Sequence, residues 1–195
     1  MFNALRTLLT CLTLGFTLML SACGNAAPFK GSDITGTKLG AALNMMDDSG
    51  QNRTLADYKG KVTVVFFGFT QCPDVCPTSM AHLAHAMELL GSDAAKVQVL
   101  MISVDPERDT PEVMKAYVKA FNPNFVGLTG TAEQLADTAK SFRAHYSKVP
   151  GATPGEYTME HGASFYIFDK TGDARVLLRG DAPAEDVVHD IKELL

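Results

Sequence analysis

The 195-residue chain has no tryptophan, no block of lysine or arginine, and only four cysteines. Without clustered basic side chains there is no electrostatic footprint for a nucleic acid, and none is expected as a partner. Residues 8–20 are almost wholly apolar, yet that run is shorter than the ~20 residues a membrane-spanning helix needs. Internal repeats are absent as well, which leaves no basis for a solenoid. The formal charge of −5 makes the chain mildly acidic.

The apolar run instead reads as a signal peptide. Arg6 supplies a short basic start, and Leu20-Ser21-Ala22-Cys23 supplies small residues at a cut. Those four residues resemble the lipobox of bacterial lipoproteins, in which the cysteine becomes the lipidated N-terminus. The organisation expected is therefore a signal peptide over residues 1–22, a lipid anchor on Cys23 with a flexible tether to residue 38, and one domain over residues 39–195. The protein is expected to be exported and membrane-anchored, its domain in the periplasm or otherwise outside the cytoplasmic membrane. About 170 residues then remain, enough for one domain with a sizeable core.

That processing changes the meaning of the cysteines. Cys11 leaves with the signal and Cys23 is acylated, so Cys72 and Cys76 remain as the free thiols. In an oxidising compartment a pair spaced this closely is a weak staple, because closing so short a loop removes little chain entropy. The pair is expected to be chemical: redox-active, metal-binding, or both.

Periodicity places it. Residues 62–67, Val-Thr-Val-Val-Phe-Phe, form a β-branched run typical of a strand buried on both faces. Pro77 suits a first helical position, and Met80, Leu83, Ala84, Met87 and Leu90 recur at helical spacing up to Gly91. A second buried strand is expected over residues 97–104. Helices are expected from Pro111 to Phe121, from Thr131 to about His145, and from Pro183 to the end. A small N-terminal hairpin flanks Asp48-Ser49-Gly50, and another crosses Lys170-Thr171-Gly172-Asp173. Residues 148–160, with two prolines and two glycines, read as a long loop of the kind that is often functional. Alternating strands and helices predict an α/β domain, a central mixed sheet flanked by helices with an N-terminal hairpin. With a cysteine pair at the carboxyl end of its first buried strand, it looks thioredoxin-like.

Pro77 biases Cys76 away from helical angles, which puts Cys76 at a helix cap and Cys72 in the loop before it. Backbone N–H groups at a helix start favour the thiolate, the form that attacks disulfides and binds metals. Two thiolates suit a soft ion such as Cu(I) or Zn, but they do not complete a site. Five histidines and nine methionines are available. His161 is the strongest candidate, because it ends the long loop just before the strand over residues 164–168. His82 and His85 read as a solvated helix flank, Met80 as core, and His145 and His189 as surface residues near helix ends. Arg108 is available to steer an acidic partner and Asp105 to hydrogen-bond near the thiols, while Asp109 or Thr110 suits a helix cap.

At these residues the sequence resembles the Sco/SenC family of copper-binding assembly factors for cytochrome c oxidase. The resemblance runs from Leu39 to Leu195 and is carried by Gly68-Phe69-Thr70, by Cys72-Pro73-Asp74-Val75-Cys76-Pro77, by Asp105-Pro106-Glu107-Arg108-Asp109-Thr110-Pro111, and by a histidine opening a late strand. It implies one copper ion per domain, held by Cys72, Cys76 and His161, with a redox-active Cys72–Cys76 pair gating its binding. It implies delivery to the copper-bearing subunit of cytochrome c oxidase, alongside another copper chaperone or a thiol reductase. The alternative is a membrane-tethered thiol–disulfide oxidoreductase that reduces client cysteines. One departure stands out: the family often has Asp-His followed by Ser or Thr, where this chain reads Glu160-His161-Gly162. Glu160 is then left to orient the imidazole. Peroxiredoxins share Cys-Pro-Thr but carry a threonine where this chain has Pro73, and the reductases of cytochrome c maturation need a Trp-Cys pair it lacks.

Overall fold

A computed structural model describes residues 29–195. The signal peptide, Cys11 and the lipobox ending at Cys23 lie outside the described residues. Among the described residues no helix is long and apolar enough to cross a membrane.

The centre is a six-stranded mixed sheet in the order β1 (Ser32–Asp33), β10 (Ala174–Arg179), β9 (Ser164–Phe168), β4 (Val62–Gly68), β5 (Val97–Ser103), β6 (Val126–Leu128). Its middle strand, β4 (Val62–Gly68), is buried at all seven positions. That burial explains the unbroken apolar run: a central strand covered on both faces has no side that tolerates polarity. β4 pairs in parallel with β5 (Val97–Ser103), and β5 does so with β6 (Val126–Leu128). On its other edge β4 runs antiparallel to β9 (Ser164–Phe168), which forms the expected hairpin with β10 (Ala174–Arg179).

Successive side chains of β4 point to opposite faces. Phe66 faces α1 (Val75–Leu90), α2 (Pro111–Phe121) and α4 (Ala184–Lys192), whereas Phe67 packs edge-on at 5.1 Å against Phe142 of α3 (Ala132–Phe142). Phe142 also meets Tyr166 and Phe168, so the α3 face is an aromatic cluster. Two caps were readable. The Thr110 hydroxyl accepts from the Val113 N–H, and Thr131 with Gln134 forms a reciprocal capping box that opens α3.

Three expectations are corrected, and the N-terminal hairpin is borne out. Residues 30–33 belong to the domain and not to a tether: β1 (Ser32–Asp33) adds to the sheet beside β10, and the buried Asp190 carboxylate accepts the N–H groups of Lys30 and Gly31 at 2.7 and 2.9 Å. The N-terminal hairpin, β2 (Met45–Met46) with β3 (Asn52–Arg53), stands as its own two-stranded sheet. α3 stops at Phe142, where Arg143 turns left-handed (φ 53°) and closes the helix. The long loop is a second antiparallel hairpin, β7 (Tyr146–Pro150) with β8 (Tyr157–His161), whose prolines and glycines fall mostly in its turn.

Candidate metal centre

Cys72 lies in the loop after β4, half-buried, and Cys76 lies fully buried in the first turn of α1. The helix starts earlier than Pro77 suggests. Asp74 is the cap, its carbonyl accepting the Thr78 N–H, and Pro77 is the third helical residue. Proline is tolerated there because N–H groups of a first turn have no partner within the helix. Cys76 is therefore inside the helix and not at its cap. Its N–H points at the Cys72 sulfur 3.5 Å away.

The third residue arrives on the separate hairpin β7–β8. His161 ends β8, and its Nε2 lies 3.4 Å from the Cys76 Sγ. The Cys72 Sγ, the Cys76 Sγ and a ring nitrogen of His161 all lie within 4.8 Å of one another, the one such group of three among the described residues. Both thiols are free. Gly68 makes room for them: a Cβ on it would sit 3.0 Å from the Cys76 sulfur. The imidazole packs edge-on against Phe66 and Phe69, with ring centroids 6.2 and 5.8 Å away.

This packing sets the electrostatics. Burial lowers the pKa of His161, so the ring is neutral at pH 7, the form that ligates metals. Its Nδ1 lies 3.2 Å from the Gly162 carbonyl. A proton on Nδ1 donates there and leaves the Nε2 lone pair facing the sulfurs. For Cys76 the expectation of an activated thiol is overturned. Burial pushes its pKa well above the ordinary value, outweighing the bond to the Phe69 backbone that favours the thiolate, and the neighbouring Cys72 adds to the rise. A lone thiolate there is costly, whereas a bound cation that takes the place of the proton is not.

The other candidates separate cleanly. Glu160 does not orient the ring: on strand β8 it faces opposite to His161 and is exposed, and the Gly162 carbonyl takes that role. Asp105 bonds Tyr157 and Arg108 in place of the thiols, and Arg108 turns inward toward Gln71 and Tyr157. Asp109 is no cap. Fully buried, it accepts from the Thr70 N–H and from the hydroxyls of Thr70 and Ser103, which pins the loop leading to Cys72. Met80 is core, His85 pairs with Glu88, and His189 pairs with Asp190. Neither the Gly162 carbonyl nor Tyr157 was legible beforehand, since neither carries a motif.

A family model described as SCO1/SenC matches residues 32–195. The SCO2-like protein of Rickettsia prowazekii is 35% identical over 136 residues, 69% of this chain but only 66% of that relative's length. Among solved structures, copper-bound ScoI of Bradyrhizobium japonicum is 38% identical with a TM-score of 0.72, covering 85% of this chain and 99% of that one. BsSco, described with a disulfide switch and as a member of the Sco family of cytochrome c oxidase assembly proteins, is 26% identical with a TM-score of 0.59, covering 87% of this chain and 95% of that one.

Proposed function

The chain belongs to the SCO1/SenC family, and from that and the geometry above we propose that it carries one copper ion on Cys72, Cys76 and His161 and passes it to the copper-bearing subunit of cytochrome c oxidase. The observation that carries the reading is the approach of the His161 Nε2 to 3.4 Å from the Cys76 sulfur. Hydrogen bonding alone does not need that arrangement, since the ring has a partner in Gly162. Two sulfurs and one imidazole form a soft donor set that suits Cu(I), and the copper-bound relative supports the choice of metal.

The residues divide the work. Cys72, half-exposed, is the open side of the site; Cys76 and His161 form its buried floor. Three protein donors leave room for a client's ligand, so the cargo can pass through a shared state without going free. Loss of two electrons from the pair, with release of both thiol protons, forms a disulfide and removes two donors. A client or a thiol reductase must take up or return those electrons. Thiol state thereby gates loading. The lipobox at Cys23 supports an anchored domain outside the cytoplasm, close to a membrane-bound client.

The rival reading is a tethered thiol–disulfide oxidoreductase. It is favoured by one feature: two free thiols close together, one of them accessible for attack on a client disulfide. Titration of the reduced full-length chain with Cu(I) against a competing chelator separates the two. One equivalent should bind, and Cys72→Ser, Cys76→Ser and His161→Ala should each weaken binding by more than the about 10–100-fold that loss of an outer partner costs. Metal-free reduction of client disulfides that is indifferent to His161→Ala, with unchanged copper affinity in that variant, supports the rival instead.

A further inference from the structure

Resting on that reading, we propose that Arg108 is a positioning residue: its guanidinium locks the hairpin carrying His161 to the loop carrying Cys72, and so sets the distance across which one ion is held. His161 does not belong to the central sheet. It ends β8, which among the described residues pairs with β7 alone. Something must fix that hairpin relative to the thiols, and the contacts converge on Arg108.

Arg108 lies in the loop between β5 and α2. Its Nε donates to Asp105, its Nη1 donates to Gln71 Oε1 at 3.0 Å, and the same Nη1 donates to the Tyr157 carbonyl at 3.1 Å. Gln71 is the residue before Cys72, and Tyr157 opens the strand that His161 closes. One planar group thus touches both ligand-bearing segments. The Tyr157 ring lies against it, 3.8 Å from centroid to guanidinium carbon, and the Tyr157 hydroxyl donates to the other Asp105 oxygen at 2.8 Å. Arginine, Asp105 and tyrosine close a ring of contacts. Lys148 of β7 adds a second cation 3.8 Å from the same aromatic centroid.

Two details mark a brace and not a steering charge. The Arg108 side chain is mostly covered, and its Nη2 is buried with no partner among the described residues. A charge meant for a client stays in water; this one leaves an N–H unpaired while it packs over the Tyr157 ring. Lysine cannot replace it, because a single ammonium lacks the fork that reaches Asp105, Gln71 and the Tyr157 carbonyl together.

The experiment compares the full-length chain with Arg108→Lys and Tyr157→Phe, reading backbone hydrogen exchange in the metal-free reduced state and Cu(I) affinity by chelator competition. Both variants should speed exchange in β7–β8 by about tenfold or more while the β4–β5 amides keep their wild-type rates. Both should lower Cu(I) affinity by about 10–100-fold. Wild-type hairpin exchange in both variants overturns the proposal. So does a loosened hairpin with unchanged affinity, since the brace then serves fold and not site. A wild-type chain that takes up no copper removes the functional reading; the exchange rates then decide the brace alone.

Discussion

The hairpins β2–β3 and β7–β8 both stand off the central sheet, but the first is closed from within and the second is held from outside. In β2–β3 the centre is Asp47, buried at 4% exposure. It accepts the N–H groups of Ser49 and Gln51, the Ser49 hydroxyl and the Arg53 Nε, all within six residues. Met46 and Thr129 then exchange backbone bonds, which dock the hairpin beyond β6. In β7–β8 no buried side chain gathers the turn. Its hold comes from Tyr157, Lys148 and Arg108, reaching to a loop some fifty residues away in sequence. Local bonds make a hairpin independent of its surroundings. Distant ones tie its position to something else, and here that something is the loop before Cys72.

The sharpest way to break the comparison is to remove the inner lock. Asp47→Ala strands four donors in and beside a tight turn and should cost about 2–3 kcal/mol, read as a fall in the urea midpoint. Cu(I) affinity should stay at its wild-type value, because nothing in that hairpin reaches the thiols. A copper defect in this variant would mean that the two hairpins are coupled. The same carboxylate gives a pH test. Burial alone would raise its pKa, but the bonds from Ser49, Arg53 and the Ser49 and Gln51 N–H groups outweigh burial and hold it at about 2. An unfolded aspartate titrates at about 3.9, so the stabilisation is complete above that pH and is lost as pH falls toward 2. Asp47→Asn should remove this part of the acid slope, measured as urea midpoint against pH.

The same contrast explains what the sequence could say. β4 and α1 were legible because burial on both faces of a strand, or on one stripe of a helix, writes a strong period, and Cys72 and Cys76 lie where the first leads into the second. β6 was not legible: three residues with Gly127 in the middle carry no period, and glycine is required because a Cβ would fall 2.8 Å from that of Met114. β7–β8 was missed for another reason. Its residues are half-buried or exposed, and Pro150, Gly151 and Gly155 read as breaks although they build the turn. His161 was found through its position before β9, not through its true element. The thiol pKa was misjudged because helix-start N–H groups are visible in a sequence and the burial around Cys76 is not.

A milder perturbation tests the outer hold. Lys148 pairs with Glu107 at 2.8 Å while both remain largely in water. Exposed pairs contribute little to global stability, so Lys148→Ala should leave the urea midpoint where it is. Loss of one cation from the Tyr157 ring should nevertheless raise hydrogen exchange in β7–β8 a few-fold, less than Arg108→Lys does. Equal effects of the two variants would mean that charge over the ring, and not the arginine fork, holds the hairpin.

The smallest effect is expected at the residue after His161. Gly162 follows the imidazole, and a Cβ built on it meets nothing within 4 Å. Its φ lies outside the left-handed region, so a side chain is not strained there. What position 162 gives the site is its carbonyl, which accepts from His161 Nδ1 and which every residue possesses. Gly162→Ser should therefore shift stability by about 0.5 kcal/mol or less and leave Cu(I) affinity unchanged in chelator competition. A clear gain in affinity would show instead that a hydroxyl here reaches the ring or the bound ion, and that glycine at this position sets a weaker grip on the cargo.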